Sequence, residues 1–221
     1  MRYDRYGHSV VILSDRIYAI GGDRGGIILQ AVERYDFAVD KWHAVADLPV
    51  PLYRCTAVAH NGHLYTFGGL SPDGRALSTT LRYDPQTDAW SELTGMPTAR
   101  FWCSACGGPD GLIYVFGGMS RIDVGISNSI LSTVEAYDTS TNQWLTKSSL
   151  NKRRYHVGAA CVNNKMYVLG GFTGGMTDDS IEDYDEDSDR WTVQGSRLPR
   201  GMCNFGCAVV RRKPPGPIRN G

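Results

Sequence analysis

Four sets of side chains in this 221-residue chain have residue types and spacings that could do chemistry. Six cysteines include Cys103-Ser-Ala-Cys106 and Cys203-Asn-Phe-Gly-Cys207, and a Cys-x-x-Cys pair can bind zinc or exchange disulfides. Five histidines (His8, His43, His60, His63, His156) are enough for a copper or zinc centre if they converge. Asp178, Asp179, Glu182, Asp183, Asp185, Glu186, Asp187 and Asp189 concentrate negative charge in one stretch. Finally, arginines sit beside aromatic residues at Arg5-Tyr6, Tyr53-Arg54, Arg100-Phe101-Trp102 and Arg154-Tyr155, the composition of an interface hot spot.

The backbone that carries each set decides among these. Tyr35, Tyr83, Tyr137 and Tyr184 each begin a Tyr-Asp pair, and Trp42, Trp90, Trp144 and Trp191 each follow the tyrosine by seven residues. The aspartates are Asp36, Asp84, Asp138 and Asp185. Ahead of them stand the pairs Gly21-Gly22, Gly68-Gly69, Gly117-Gly118 and Gly170-Gly171, each closing a short apolar run such as Ile113-Tyr114-Val115-Phe116. A period of 47 to 54 residues marks a repeat architecture. Polar turns such as Asn61-Gly62 and Asp110-Gly111 between apolar runs predict hairpins. Runs apolar on both faces predict buried strands, and no helical period occurs. Each unit therefore reads as four antiparallel strands, one blade of an all-β propeller. The paired glycines let neighbouring blades approach, and the tryptophan fills the gap between sheets.

On strands, residues i and i+3 point to opposite faces, so Cys103 and Cys106 cannot share a metal, and buried free thiols are expected. The histidines fall in separate strands and turns. The acidic stretch lacks the spacing of a calcium loop and reads as a solvated face. No phosphate loop or serine elbow occurs. No metal and no cofactor is expected.

The glycine pair, Tyr-Asp and Trp at these spacings resemble the kelch repeat, from about Arg5 to Val210. Repeats run over about 5–52, 53–98, 99–151 and 152–199, and 200–210 matches the first strand of another unit. That spare strand implies a fragment of a five- or six-bladed ring, or alternatively a four-bladed ring with a loose tail. A basic Pro/Gly tail, 211–221, reads as disordered. Charge is balanced at 23 basic and 23 acidic residues, against nucleic-acid or membrane-surface binding. No apolar run reaches transmembrane length, and the expected location is cytoplasmic. The resemblance is strongest to the BTB–kelch adaptors of cullin-RING ubiquitin ligases. It implies a protein or peptide partner, possible acidic character in that partner, and a cullin link through a domain outside this chain. Carried over residue by residue, it places partner binding on Arg5, Tyr6, Arg24, Tyr53, Arg54, Arg100, Phe101, Trp102, Arg121, Arg154 and Tyr155. Actin binding, and a kelch-type enzyme such as a mutarotase or oxidase, are the alternatives.

Overall fold

The computed structural model describes residues 1–121 and 129–209, all strand, turn or irregular. Asp123 and Asn128 of the long third loop, and the tail 211–221, lie outside the described residues. Four antiparallel four-stranded sheets follow one another along the chain. Blade one is β1 (Ser9–Leu13), β2 (Arg16–Ile20), β5 (Val32–Asp36) and β6 (Lys41–Val45), with a small ribbon, β3 (Asp23–Arg24) and β4 (Ile27–Ile28), inserted after its glycine pair. Blade two is β7 (Thr56–His60), β8 (His63–Phe67), β9 (Thr80–Asp84) and β10 (Ala89–Glu92). Blade three is β11 (Ser104–Gly107), β12 (Ile113–Phe116), β13 (Val134–Asp138) and β14 (Gln143–Lys147). Blade four is β15 (Gly158–Val162), β16 (Lys165–Leu169), β17 (Ser180–Asp185) and β18 (Arg190–Arg197).

Hairpin chemistry sets each first turn. Asn61-Gly62 and Asn163-Asn164 both hold the positive φ that a two-residue turn between twisted strands requires. First strands then pack side by side, β1 on β7, β7 on β11 and β11 on β15, around a common axis, and no comparable packing joins β15 to β1. The core is made of sheet-on-sheet layers. Leu13, Tyr18 and Ile20 meet Leu64, Leu81 and Tyr83 between blades one and two. Tyr65 and Phe67 meet Ile113, Val115 and Tyr137 between two and three. Tyr114 and Phe116 meet Met166, Val168, Tyr184 and Trp191 between three and four.

The glycine pairs are there because a neighbouring backbone lies on them. At Gly68, φ is +62°, and an added Cβ would sit 2.1 Å from the Arg100 carbonyl oxygen. The next residue's N–H, Gly69, donates to that same carbonyl at 2.8 Å. The tryptophans and tyrosines join blades by a repeated polar staple. Trp90 Nε1 donates to the Ala46 carbonyl of blade one, Trp144 Nε1 to Thr94 and Trp191 Nε1 to Ser148, at 2.8–3.0 Å. The backbone N–H groups of Ala46, Thr94 and Ser148 donate back to Asp88, Asn142 and Asp189. Those three acceptors stand five residues after the repeat tyrosine, whose hydroxyl also donates to them.

Residues 200–209 form no strand. They nevertheless copy the bonds that open a blade: Gly171 N–H donates to the Met202 carbonyl at 2.7 Å, and Asn204 N–H to the His156 carbonyl at 3.3 Å.

Candidate functional site

The arginines separate into two positions that sequence had merged. Arg5, Arg100 and Arg154 each precede a residue that bridges back to the segment after the glycine pair (Tyr6, Phe101, Tyr155). Their guanidinium groups turn inward beneath the blade. Arg5 donates to the Gly21 and Ala31 carbonyls at 2.9 and 2.7 Å and pairs with Glu33. Arg100 donates to the Gly117 and Thr133 carbonyls and pairs with Glu135 at 3.0 Å. Arg154 donates to the Gly170 carbonyl and pairs with Glu182. All three side chains are fully buried. Their assignment to partner binding is therefore corrected: these side chains brace the blade and present no donor to a partner. The physical reason is that in each of these blades one or more carbonyl oxygens and a carboxylate, sealed from water, are satisfied together by the buried cation.

Arg54 is not their counterpart. The residue of blade two whose carbonyl receives the glycine-pair N–H is Leu52, matching Arg100 and Arg154 in their blades. Opposite it, Leu81 replaces the glutamate, and both leucines are buried in one apolar cluster. Blade two thus exchanges the buried ion pair for a pair of leucines.

Arg54 instead belongs with Gly7, Trp102, His156 and Asn204. These five residues form a chain of backbone bonds around the axis: Arg54 N–H to Gly7 carbonyl, Trp102 to Arg54, His156 to Trp102 and Asn204 to His156, at 2.8–3.3 Å. All five have φ between +53° and +61°. For glycine and asparagine that conformation is cheap, but for Arg, Trp and His it costs about 1–2 kcal/mol each. The three unfavourable residues line a cavity of about 160 Å³ at the axis, with His8, Cys55 and Cys103. The Arg54 guanidinium lies 4.0 Å from the Trp102 ring centre and 4.4 Å from that of Tyr53. Trp102 stacks on Tyr155, centroids 5.3 Å apart and 15° between planes, and meets His156 at 4.5 Å. Burial and the neighbouring Arg54 charge lower the His156 pKa to about 4, so the imidazole is neutral near pH 7. Arg54 is the charged group of this rim, and its guanidinium N–H donors have no hydrogen-bond partner among the described residues.

The remaining expectations fall out as follows. Tyr6 is exposed and packs edge-on against Tyr53 at 5.5 Å. Tyr53 and Phe101 are buried, so they support the rim without facing solvent. Arg24 is exposed, beside Asp4 at 3.2 Å, and Arg121 is exposed in the loop that follows the third glycine pair. Cys103 and Cys106 do face different layers, one between blades two and three and one between three and four. Burial raises Cys55 to about 11 and Cys103 to about 12, leaving unreactive thiols. Cys203 and Cys207 depart from the buried-thiol expectation, being half-buried and exposed, because no strand forms there. Among the described residues no three His, Cys, Asp or Glu side chains converge to hold a metal ion. Sequence reasoning missed His156 as a rim residue and missed the staple acceptors Asp88, Asn142 and Asp189. Each had a signal: His156 stands where Trp102 stands, 14 or 15 residues before its glycine pair, and each acceptor stands five after a repeat tyrosine.

Comparison with known proteins agrees with this architecture. The KLHDC2/KLHL20/DRC7 Kelch-repeats domain matches residues 2–171 and, in a second register about one repeat later, 56–213. Kelch-like protein 23 of Homo sapiens is 30% identical over 211 residues, covering 93% of this chain and 35% of that protein. Kelch-like protein 38 of Rattus norvegicus is 29% identical over 217 residues, covering 94% and 34%. The Kelch repeat and BTB domain-containing protein 1 of Camelpox virus is 30% identical over 220 residues, covering 97% and 38%. The chain thus spans about a third of the length of these relatives. In three dimensions it is similar to YjhT, with a TM-score of 0.76 at 20% identity, over 90% of this chain and 68% of that one. Four glycine-paired blades, three of them stapled to the preceding blade by their tryptophan, and a matching domain over nearly every residue place this chain in the kelch-repeat family.

Proposed function

We propose that this chain is a protein-recognition module that receives an acidic peptide segment at the axial rim, with Arg54 as the carboxylate-binding residue. The observation that carries this reading is an arginine held at positive φ between two aromatic rings, with its donors unused. Strained backbone retained for an arginine whose guanidinium makes no hydrogen bond among the described residues supports a binding role. A guanidinium already fixed by stacking loses little freedom when it forms a bidentate pair with a carboxylate. Trp102, Tyr155 and Tyr6 supply apolar contact area around it, and Arg24 and Arg121 extend the positive rim outward. Kinship with kelch-like proteins, one of them named for a BTB domain, supports a larger adaptor context in which the bound protein is a ubiquitin-ligase substrate.

The test is fluorescence anisotropy with a library of labelled Glu/Asp-rich peptides, against the parent chain and an Arg54→Asn variant. Asparagine tolerates the backbone, as Asn204 shows, so thermal melts should match. Affinity for the selected peptides is expected to fall by about 30-fold or more, the loss of roughly 2 kcal/mol at a hot spot. Unchanged affinity in a folded variant would place recognition elsewhere. Arg154→Ala is unsuitable for this purpose, because it removes a buried ion-pair partner.

A further inference from the structure

The loops that follow the glycine pairs flank the axial rim, and the loop of blade two carries a distinct acceptor motif. Two residues past the glycine pair, blades two, three and four carry a hydroxyl: Ser71, Ser120 and Thr173. Ser71 alone is followed by proline; it begins the one Ser-Pro step of the chain, and no Thr-Pro step occurs. Ser71-Pro72-Asp73-Gly74 folds as a tight turn, the Gly74 N–H donating to the Ser71 carbonyl at 2.9 Å. Proline stands second, where its fixed φ suits such turns. Pro72 to Arg75 are exposed and Ser71 is half-buried. The Ser71 hydroxyl donates to the Asp73 carboxylate, and its oxygen accepts the Arg75 backbone N–H at 3.2 Å.

Backbone pairing sets how far this hydroxyl stands from Arg54. Leu70 and Tyr53 form an antiparallel bridge, exchanging backbone hydrogen bonds at 2.6 and 3.3 Å. Ser71 follows Leu70 and Arg54 follows Tyr53, so the two lie diagonally across that bridge. Strand spacing puts their α-carbons about 8 Å apart, a gap that an arginine side chain and a phosphorylated serine close between them. Asp73 is ionised, its pKa lowered first by the Ser71 hydroxyl. A phosphate on that oxygen has no proton to give Asp73 and carries a charge of about −1.5 to −2, so repulsion turns it away. Arg75 Nε is already held by Asp73 at 2.9 Å. The Arg54 guanidinium has unused donors and is fixed between two rings.

We propose that Ser71 is a phosphorylation site for a proline-directed serine/threonine kinase, and that the phosphoserine pairs with Arg54 and blocks the rim to acidic peptides. The blocking step rests on the reading of Arg54 as the carboxylate-binding residue. In the transfer, Ser71 Oγ forms a bond to the γ-phosphorus of ATP while the bond from that phosphorus to ADP breaks. The hydroxyl proton goes to the base of the kinase, and ADP leaves. Phosphate and carboxylate are both bidentate partners for a guanidinium, so one excludes the other. The phosphate has the advantage, because it is tethered to the same chain and competes at high effective concentration.

The folded chain and a Ser71→Ala variant are treated with ATP and purified cyclin-dependent and mitogen-activated kinases, and phosphate is mapped by mass spectrometry. Phosphate on Ser71 is expected in the chain; none at that position with either kinase overturns the modification site. Phosphoserine is also placed at 71 by codon suppression, in the parent and in Arg54→Asn, and followed by phosphorus NMR. Pairing with Arg54 should lower the second ionisation of the phosphate from about 6 to about 5, and Arg54→Asn should restore it. Equal ionisation in the two forms overturns the pairing. With labelled Glu/Asp-rich peptides, phosphoserine should weaken binding about tenfold or more, while Ser71→Ala binds as the parent does. If Arg54→Asn weakens the peptides and phosphoserine does not, the blocking step is overturned and the recognition reading stands. If neither weakens them, the recognition reading fails and the blocking step falls with it, while the NMR result still decides the phosphate–Arg54 pair.

Discussion

Residue identity in this protein is governed by what each backbone position leaves unsatisfied. Arg100 and Arg154 are held inside because carbonyls of their own blade and a buried carboxylate surround them. Removing one partner leaves an uncompensated buried charge, so Arg154→Ala is expected to lower unfolding free energy by about 3–5 kcal/mol in urea melts. Replacing both partners is different. Arg100→Leu with Glu135→Leu copies the Leu52 and Leu81 pair of blade two and should return stability to within about 1 kcal/mol of the parent. At the rim, the His156 pKa is depressed from 6.5 to about 4, first by burial and then by Arg54. The unfolded chain binds the extra proton between those values, so this contribution is complete above about 6.5 and is lost as pH falls towards 4. His156→Asn should flatten that limb of a stability–pH profile. His8 and His60, whose pKa values burial also lowers, leave a smaller slope of the same sign.

At the scale of elements, the joints between blades matter more than the strands. Each third-strand tyrosine, the acceptor five residues on and the following tryptophan act as one unit across the joint, and the glycine pair admits the next blade's backbone. Gly68→Ala and Gly111→Ala separate these causes. Both positions have positive φ, but a Cβ at Gly111 meets open space while one at Gly68 meets the Arg100 carbonyl at 2.1 Å. Gly111→Ala should cost about 1 kcal/mol, the conformational term alone. Gly68→Ala should cost well over about 2 kcal/mol, because backbone must move. Chemical denaturation of the two variants checks the difference. The elements were largely readable: alternation, hairpin turns and the fixed Tyr-to-Trp distance specify four strands per blade. The fifth first-strand was read as a strand, yet residues 200–209 make its opening bonds without its ladder. A first strand needs its second strand to pair with, and sequence pattern does not report whether that partner is present.

For the whole molecule, stability should grade from the inner layers to the two flanks. Every residue of β12 is buried between blades, whereas β6 and β18 are edge strands with mostly exposed side chains. Native-state hydrogen exchange should therefore find the slowest amides in β8 and β12 and the fastest in β6 and β18. Equal protection throughout would mean the blades open only together.

The repeat itself was determined by sequence, because period, glycine pairs and tryptophans are local patterns that survive without coordinates. The placing of the arginines was decided only by the fold. Counted back from the glycine pairs, Arg5, Arg100 and Arg154 stand 16, 17 and 16 residues away and Arg54 stands 14 away. In the segment that leads into each blade, outside the strands, a two-residue displacement moves the arginine from the buried brace position to the positive-φ position at the axial rim. That difference turns three arginines into buried braces and leaves the fourth stacked between aromatic rings with free donors.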